Sequence, residues 1–142
     1  MKCGDANVKL NPSPMRAAWI LEGQPISRSR MLARSPDGTS FVVVWDCSRG
    51  RFKWCYDIDE TLYVVAGDAT LKHANGDSQD VTTGDIVYFP AGSIVEWTVH
   101  DYIRKVAFLR TPLPAPFSML RRVTKKLIHL LRRGAKESTA HV

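Results

Sequence analysis

From Thr39 to Arg110 the chain is a succession of short runs rich in Val, Trp, Tyr and Phe, each closed by turn-forming residues after roughly eight to twelve positions. This rhythm constrains the fold more than any other feature. β-Branched and aromatic side chains suit a pleated, half-buried surface, and no helix-length periodic segment interrupts them, so an all-β sandwich or barrel is expected. Strands are predicted at about 40–47, 51–57, 61–66, 69–74, 79–82, 86–89, 94–99 and 102–110. The intervening turns are Ser48-Arg49-Gly50, Gly67-Asp68, Asn75-Gly76-Asp77, Thr83-Gly84-Asp85, Ala91-Gly92 and His100-Asp101. Asn75-Gly76 is the strongest hairpin signal, because both residues tolerate positive φ.

The flanks read differently. Residues 1–34 carry Pro12, Pro14 and Pro25 among scattered basic residues, which predicts an extended arm able to add an edge strand. The barrel is assigned to 35–110. Pro112, Pro114 and Pro116 then mark a stiff linker over 111–116. Beyond it Leu120, Val123, Leu127, Leu130 and Leu131 recur at spacings of three and four among arginines and lysines, predicting a basic amphipathic helix over 117–134. Ser118 suits its N-cap and Gly134 its C′ position. A disordered tail is expected over 135–142.

Size and charge limit the function. At 142 residues, with 44% hydrophobic and 24% charged residues, the chain can bury one core. The net charge of +6 divides into +4 over residues 1–34, −4 over 35–120 and +6 over 121–142. A duplex-binding domain carries its basic residues across the folded body, so nucleic acid is not expected as a partner. No apolar run approaches the roughly 18 residues of a membrane span, and Met1 to Met15 lacks the apolar stretch of a signal peptide. The expected location is the cytoplasm. Three cysteines, an odd number, argue against a disulfide framework, and Cys47 and Cys55 read as packing residues.

Within this frame, Gly50 to Gly67 followed by Gly84 to Gly92 resembles the paired motifs of the cupin superfamily. Glu60 precedes Gly67 by seven residues, and Gly84, Pro90 and Gly92 reproduce the spacing of the second motif. Trp45, Phe52-x-Trp54-x-Tyr56, Asp59-Glu60, Glu96-Trp97 and Arg104-Lys105 narrow the resemblance to small single-domain cupins grouped with the cupin domain of (S)-ureidoglycine aminohydrolase. It covers about Thr39 to Phe108. The resemblance implies a single jelly-roll-like cupin barrel with Trp54, Tyr56 and Glu60 facing the interior, and Val95, Trp97 and Val99 on the matching inner face. Strand alternation allows the same placement if the register runs through Ile58. The three aromatics can equally be core fillers.

Metal-dependent cupins use histidines and a glutamate, and aligning Glu60 with the acidic ligand puts Trp54, Tyr56 and Val95 where histidines would stand. One carboxylate cannot hold a catalytic divalent ion. His73, His100, His129 and His141 lack ligand spacing and read as surface residues. No metal site and no cofactor are expected, and the ammonia-releasing reaction is not carried over. The leading reading is a metal-free cupin binding a small polar or planar metabolite through Trp54, Tyr56, Glu60, Trp97 and Lys105. Lys105 either pairs with Glu60, meets an anionic ligand, or is a solvated surface charge. Two alternatives are a small-molecule enzyme using Glu60 as acid or base, and an interaction scaffold acting through the terminal helix. That helix is expected to dock on a barrel ahead of binding a membrane surface. A homodimer is expected, because the run Phe41 to Trp45 holds too many large side chains for one inner face.

Overall fold

A computed structural model of the chain describes residues 1–114 and Thr124; the helix expected over 117–134 and the tail over 135–142 otherwise lie outside the described residues. The described elements are β1 (Asn11–Pro12), a 3-10 turn (Ala17–Trp19), β2 (Ile20–Glu22), β3 (Ser27–Arg34), β4 (Ser40–Cys55), β5 (Asp59–His73), β6 (Ser78–Thr82), β7 (Ile86–Phe89) and β8 (Ile94–Arg110). They form one antiparallel sheet in the order β1-β3-β4-β8-β5-β6, with β2 also on β4 and β7 also on β5. This is the all-β jelly-roll expected from the punctuated β pattern.

Three pairs of expected strands are in fact single long ones. β4, β5 and β8 each run through a position predicted as a turn and bend there at shifts of register: Ser48 to Gly50, Val64 to Ala69, and the stretch of β8 opposite them. The bend lets each strand serve two halves of the sheet. Near their outer ends β4, β8 and β5 lie between β3 and β7; past the bend the same strands lie between β2 and β6. Gly67 makes the tightest of these passages. Its φ is +78°, and a Cβ there would lie 1.8 Å from the carbonyl oxygen of Tyr102 on β8.

Alternation then sorts the side chains. Trp45, Cys47, Phe52, Leu62, Val64, Leu71, Phe89, Val95, Trp97, Val99 and Ile103 form one buried cluster on the inner face. Fully burying side chains such as Phe52 and Leu62 contributes about 1.5–3 kcal/mol each. Cys47 is the packing residue expected, and its thiol is pushed up to about 12, first by burial and then by the Asp46 carboxylate.

The first 34 residues contribute three strands as well as the arm. β3 lies along β4 from Ser27 opposite Cys47 to Arg34 opposite Phe41, and β1 adds to β3. A charged cluster on the outer face fastens this layer. Asp46 is almost fully buried and accepts from Arg28 Nε at 3.0 Å, Arg28 Nη2 at 2.6 Å and the Tyr102 hydroxyl at 2.8 Å. Arg104, its cross-strand neighbour, donates to the carbonyls of Ala6 at 2.7 Å and Val8 at 2.6 Å. The β3–β4 turn is closed by Asp37, which accepts from Ser35 and Thr39; those bonds lower its carboxyl to about 2.

Candidate functional site

The residues singled out in the sequence converge inside the barrel, although they come from three strands. Trp54 sits at the end of β4, Tyr56 just beyond it, Glu60 at the start of β5, and Trp97 and Lys105 on β8. Tyr56, Glu60, Trp97 and Lys105 are buried, and Trp54 is half-buried. The strand does not continue through Ile58. β4 stops at Cys55, and Tyr56 is instead held by backbone bonds to Ser93 and Gly92, which restore its inward position.

Lys105 is not a surface charge. Its ammonium donates to Glu60 Oε1 at 2.6 Å, with both side chains only 6% exposed. The same ammonium lies 4.9 Å from the Trp45 ring centroid and 5.0 Å from that of Trp97, distances at which an indole face attracts a cation. The alternative in which Lys105 pairs with Glu60 is the one observed. Register explains it: Lys105 faces Trp45 on one side and Val64 on the other, leaving the inward Glu60 within reach.

Around the pair the aromatics are packed in series. The Trp97 indole N–H donates to the Tyr56 hydroxyl at 3.2 Å, and Tyr56 stacks on Phe89 at 4.4 Å. Trp45 contacts Phe52, Trp54 and Trp97 edge-on, and Trp19 from the 3-10 turn lies against Trp54 at 5.1 Å. Arg16 lies 5.1 Å over the Trp19 ring. Burial, and then the negative charge of Glu60, push the Tyr56 phenol well above its ordinary value near 10.

Sequence reasoning misses two members of this arrangement. Trp45 belongs to the motif but is not placed at the site by it, and Phe89 enters only through motif spacing. A signal for Trp45 is present: in an antiparallel pair, Trp45-Asp46 set opposite Arg104-Lys105 puts an indole beside an ammonium and a carboxylate beside a guanidinium.

Trp54 and Val95 are direct cross-strand partners at the positions where metal-binding cupins present histidines. Neither side chain can ligate a metal, and the carboxylate at the acidic position is already engaged by an ammonium. Among the described residues no three His, Cys, Asp or Glu side chains come close enough together to hold a metal ion. The residues present therefore do not fit a family metal. Of the histidines, His100 is exposed, whereas His73 is half-buried, its ring 6.4 Å from that of Phe89.

Fold and interior together define a single-unit cupin barrel. A family model for the EutQ-like cupin domain matches residues 34–107, more than half of the chain, and the chain belongs to that family. Among solved structures it is similar to a DUF861-family protein of unknown function from Pseudomonas syringae pv. tomato, at 29% identity and a TM-score of 0.68. That match covers 74% of this chain and 46% of the other, so the chain spans less than half of that relative. The EutQ protein of Clostridium difficile matches at 18% identity and a TM-score of 0.58, covering 73% of this chain and 81% of its own. A cupin-like protein from Thermotoga maritima matches at 14% identity and a TM-score of 0.60, covering 75% and 81%. The last two likenesses establish the fold. No curated protein matches the chain. Among the described residues no helix is long and apolar enough to cross a membrane.

Proposed function

We propose that the barrel is a metal-free binding module for a small polar or planar metabolite, held by Trp54, Tyr56, Glu60, Trp97 and Lys105. The observation that carries this reading is the Glu60–Lys105 pair inside an aromatic box. A buried ion pair gains little stability over apolar residues of similar volume, because desolvating two charges costs several kcal/mol. A charge pair at the position of the family's metal is consistent with recognition of a ligand. A ligand carboxylate would replace Glu60 at the Lys105 ammonium, and a planar group would stack against Trp54, the least buried ring of the set. This favours binding over acid–base catalysis, since Glu60 is already committed to a cation. The likeness to the ureidoglycine aminohydrolase group is on this proposal a likeness of frame, without its chemistry. The three unpaired cysteines are consistent with a reducing, cytoplasmic setting. Native mass spectrometry of freshly purified protein should show a bound mass that disappears on mild denaturation and that Trp54→Ala does not retain. A chain that carries no such mass and shows no thermal shift across a metabolite panel would overturn the proposal.

We further propose that the chain forms a homodimer through the outer face of β7, β5, β8 and β4. Tyr88, Thr61, Phe108 and Val42 form one cross-strand row there, and Ile86, Tyr63 and Val106 extend a second. Ile86, Tyr88, Phe108 and Tyr63 are exposed, at 71%, 58%, 51% and 42%. Val44, from the run that first suggests a dimer, is fully buried within one chain, so the need for cover lies mainly in these neighbours. A flat apolar face of this kind is self-complementary about a two-fold axis. Light scattering should give twice the chain mass at micromolar concentration, and Phe108→Asp should give the monomer. A wild-type monomer would overturn this assignment.

A further inference from the structure

A cleft lies outside the barrel, where the loop after β2 crosses β4 beside the bend in β8. It encloses about 330 Å³ and is lined by Glu22, Gln24, Arg49, Arg51, Thr98 and His100, with the backbone of Gly23 and Gly50 at its base. That volume is at the lower end of small-molecule sites. Two glycines pass each other there: Gly23 has φ +78°, and a Cβ on it would stand 3.5 Å from the Gly50 Cα.

Its cations are poorly satisfied. A guanidinium offers five N–H donors, yet the Nε of Arg51 has no hydrogen-bond partner among the described residues. This Nε is shielded from solvent and lacks a hydrogen-bond acceptor; Glu22 Oε2 stands 3.6 Å from it as an ion pair, and Glu96 Oε1 lies 3.5 Å from Nη1. Leaving a shielded donor without an acceptor is unfavourable, so an acceptor brought into the cleft gains what Glu22 does not supply. Glu22 is 75% exposed and free to swing away. Arg49 has no ion pair or hydrogen-bond partner among the described residues.

The far side of the cleft is ordered by a polar ladder. Glu22, Arg51, Thr98, Thr70 and Asp80 stand opposite one another in a single row across β2, β4, β8, β5 and β6. The Thr70 hydroxyl has one proton, which it donates to Asp80 at 2.6 Å, so it accepts from His100 Nε2 at 2.9 Å. That fixes the ring and leaves Nδ1 without a partner among the described residues.

We propose that this cleft is a binding site, separate from the barrel interior, for a small metabolite bearing an oxyanion, either a carboxylate or a phosphate. Arg51 and Arg49 take the anion, Glu22 yields its place on Arg51, and Thr98, Gln24 and His100 read the remaining hydrogen-bonding groups. Arg51 is already balanced by Glu22 and Glu96, so Arg49 is the cation of the cleft with no carboxylate beside it among the described residues.

The test is an NMR titration of the full chain with sodium phosphate and, separately, disodium succinate, at constant ionic strength, with sodium chloride as control. The expected result is a saturable shift of the Gly23, Gly50, Arg51, Thr98 and His100 amides with at least one of the two oxyanions, and none with chloride. Which salt saturates identifies the phosphate or the carboxylate. Arg51→Gln and Arg49→Gln should each weaken binding roughly tenfold, the scale of one lost charge-assisted hydrogen bond. Arg49 is exposed and unbonded, so its variant folds whatever Arg51→Gln does. Shifts that chloride reproduces, shifts confined to the barrel interior, no saturation below about 10 mM, or unchanged binding in Arg49→Gln would each overturn the proposal.

Discussion

Glu60→Gln is expected to destabilise the chain by about 3–5 kcal/mol, the cost of removing one partner from a buried ion pair. The Lys105 ammonium would remain between Trp45 and Trp97, and the indole faces attract a cation by only about 0.5–2 kcal/mol. A neutral amide oxygen replaces part of the lost hydrogen bond but none of the charge. Thermal unfolding should fall by about 10 °C or more. The companion variant, Glu60→Gln with Lys105→Met, removes both charges and keeps the volume. It should recover most of the loss, because replacing a buried pair whole is often neutral or stabilising. The same double variant separates folding from recognition: it should melt near wild type and bind no co-purifying metabolite. If Glu60→Gln melts with wild type, Glu60 faces solvent and the buried pair is refuted.

Among the glycines of the described residues, Gly67→Ala is expected to be the most damaging single-methyl change, by roughly 2–5 kcal/mol. Two costs coincide there. The φ of +78° disfavours any L side chain, and the added carbon would stand 1.8 Å from the Tyr102 carbonyl oxygen and 3.0 Å from the Ile103 Cα, both backbone atoms. β5 and β8 would have to part at the bend that turns both strands from one half of the sheet to the other. Gly76→Ala supplies the control, since Gly76 also has positive φ, +92°, but a Cβ there would meet nothing within 4 Å. It should cost only the conformational part, about 1–2 kcal/mol. Chemical denaturation of the two variants decides the matter; equal losses would show that the approach to Tyr102 is not tight.

These two sites show what the sequence discloses and where it stops. Glu60 is legible as an inward carboxylate because its distance from Gly67 fits a known motif; alternation from Trp54 and Tyr56 would reach it only through Ile58, where the strand is interrupted. Its partner is legible only as one of three alternatives for Lys105, since the two are 45 residues apart and nothing local distinguishes a buried lysine from a solvated one. Gly67-Asp68 and Ser48-Arg49-Gly50 read as turns because glycine beside polar residues permits the backbone angles of a turn, and a bulge inside a long strand asks for the same permission. Asn75-Gly76 and Thr83-Gly84 are turns as expected, there being two distinct strands to join on either side. The Asp46 cluster leaves no comparable trace, because its value depends on Arg28, Tyr102 and Arg104 arriving from two other strands.

The way Arg104 grips the arm has a practical side. A guanidinium that bonds the carbonyls of residues 6 and 8 recognises main chain, which every amino acid supplies alike. The stretch before Leu10 can therefore be rewritten, tagged or labelled with its anchorage intact, provided Leu10, buried at 7% exposure, is kept. Holding a segment by what its sequence cannot change leaves that sequence free to vary, and a reporter placed there would ride on the barrel without disturbing it.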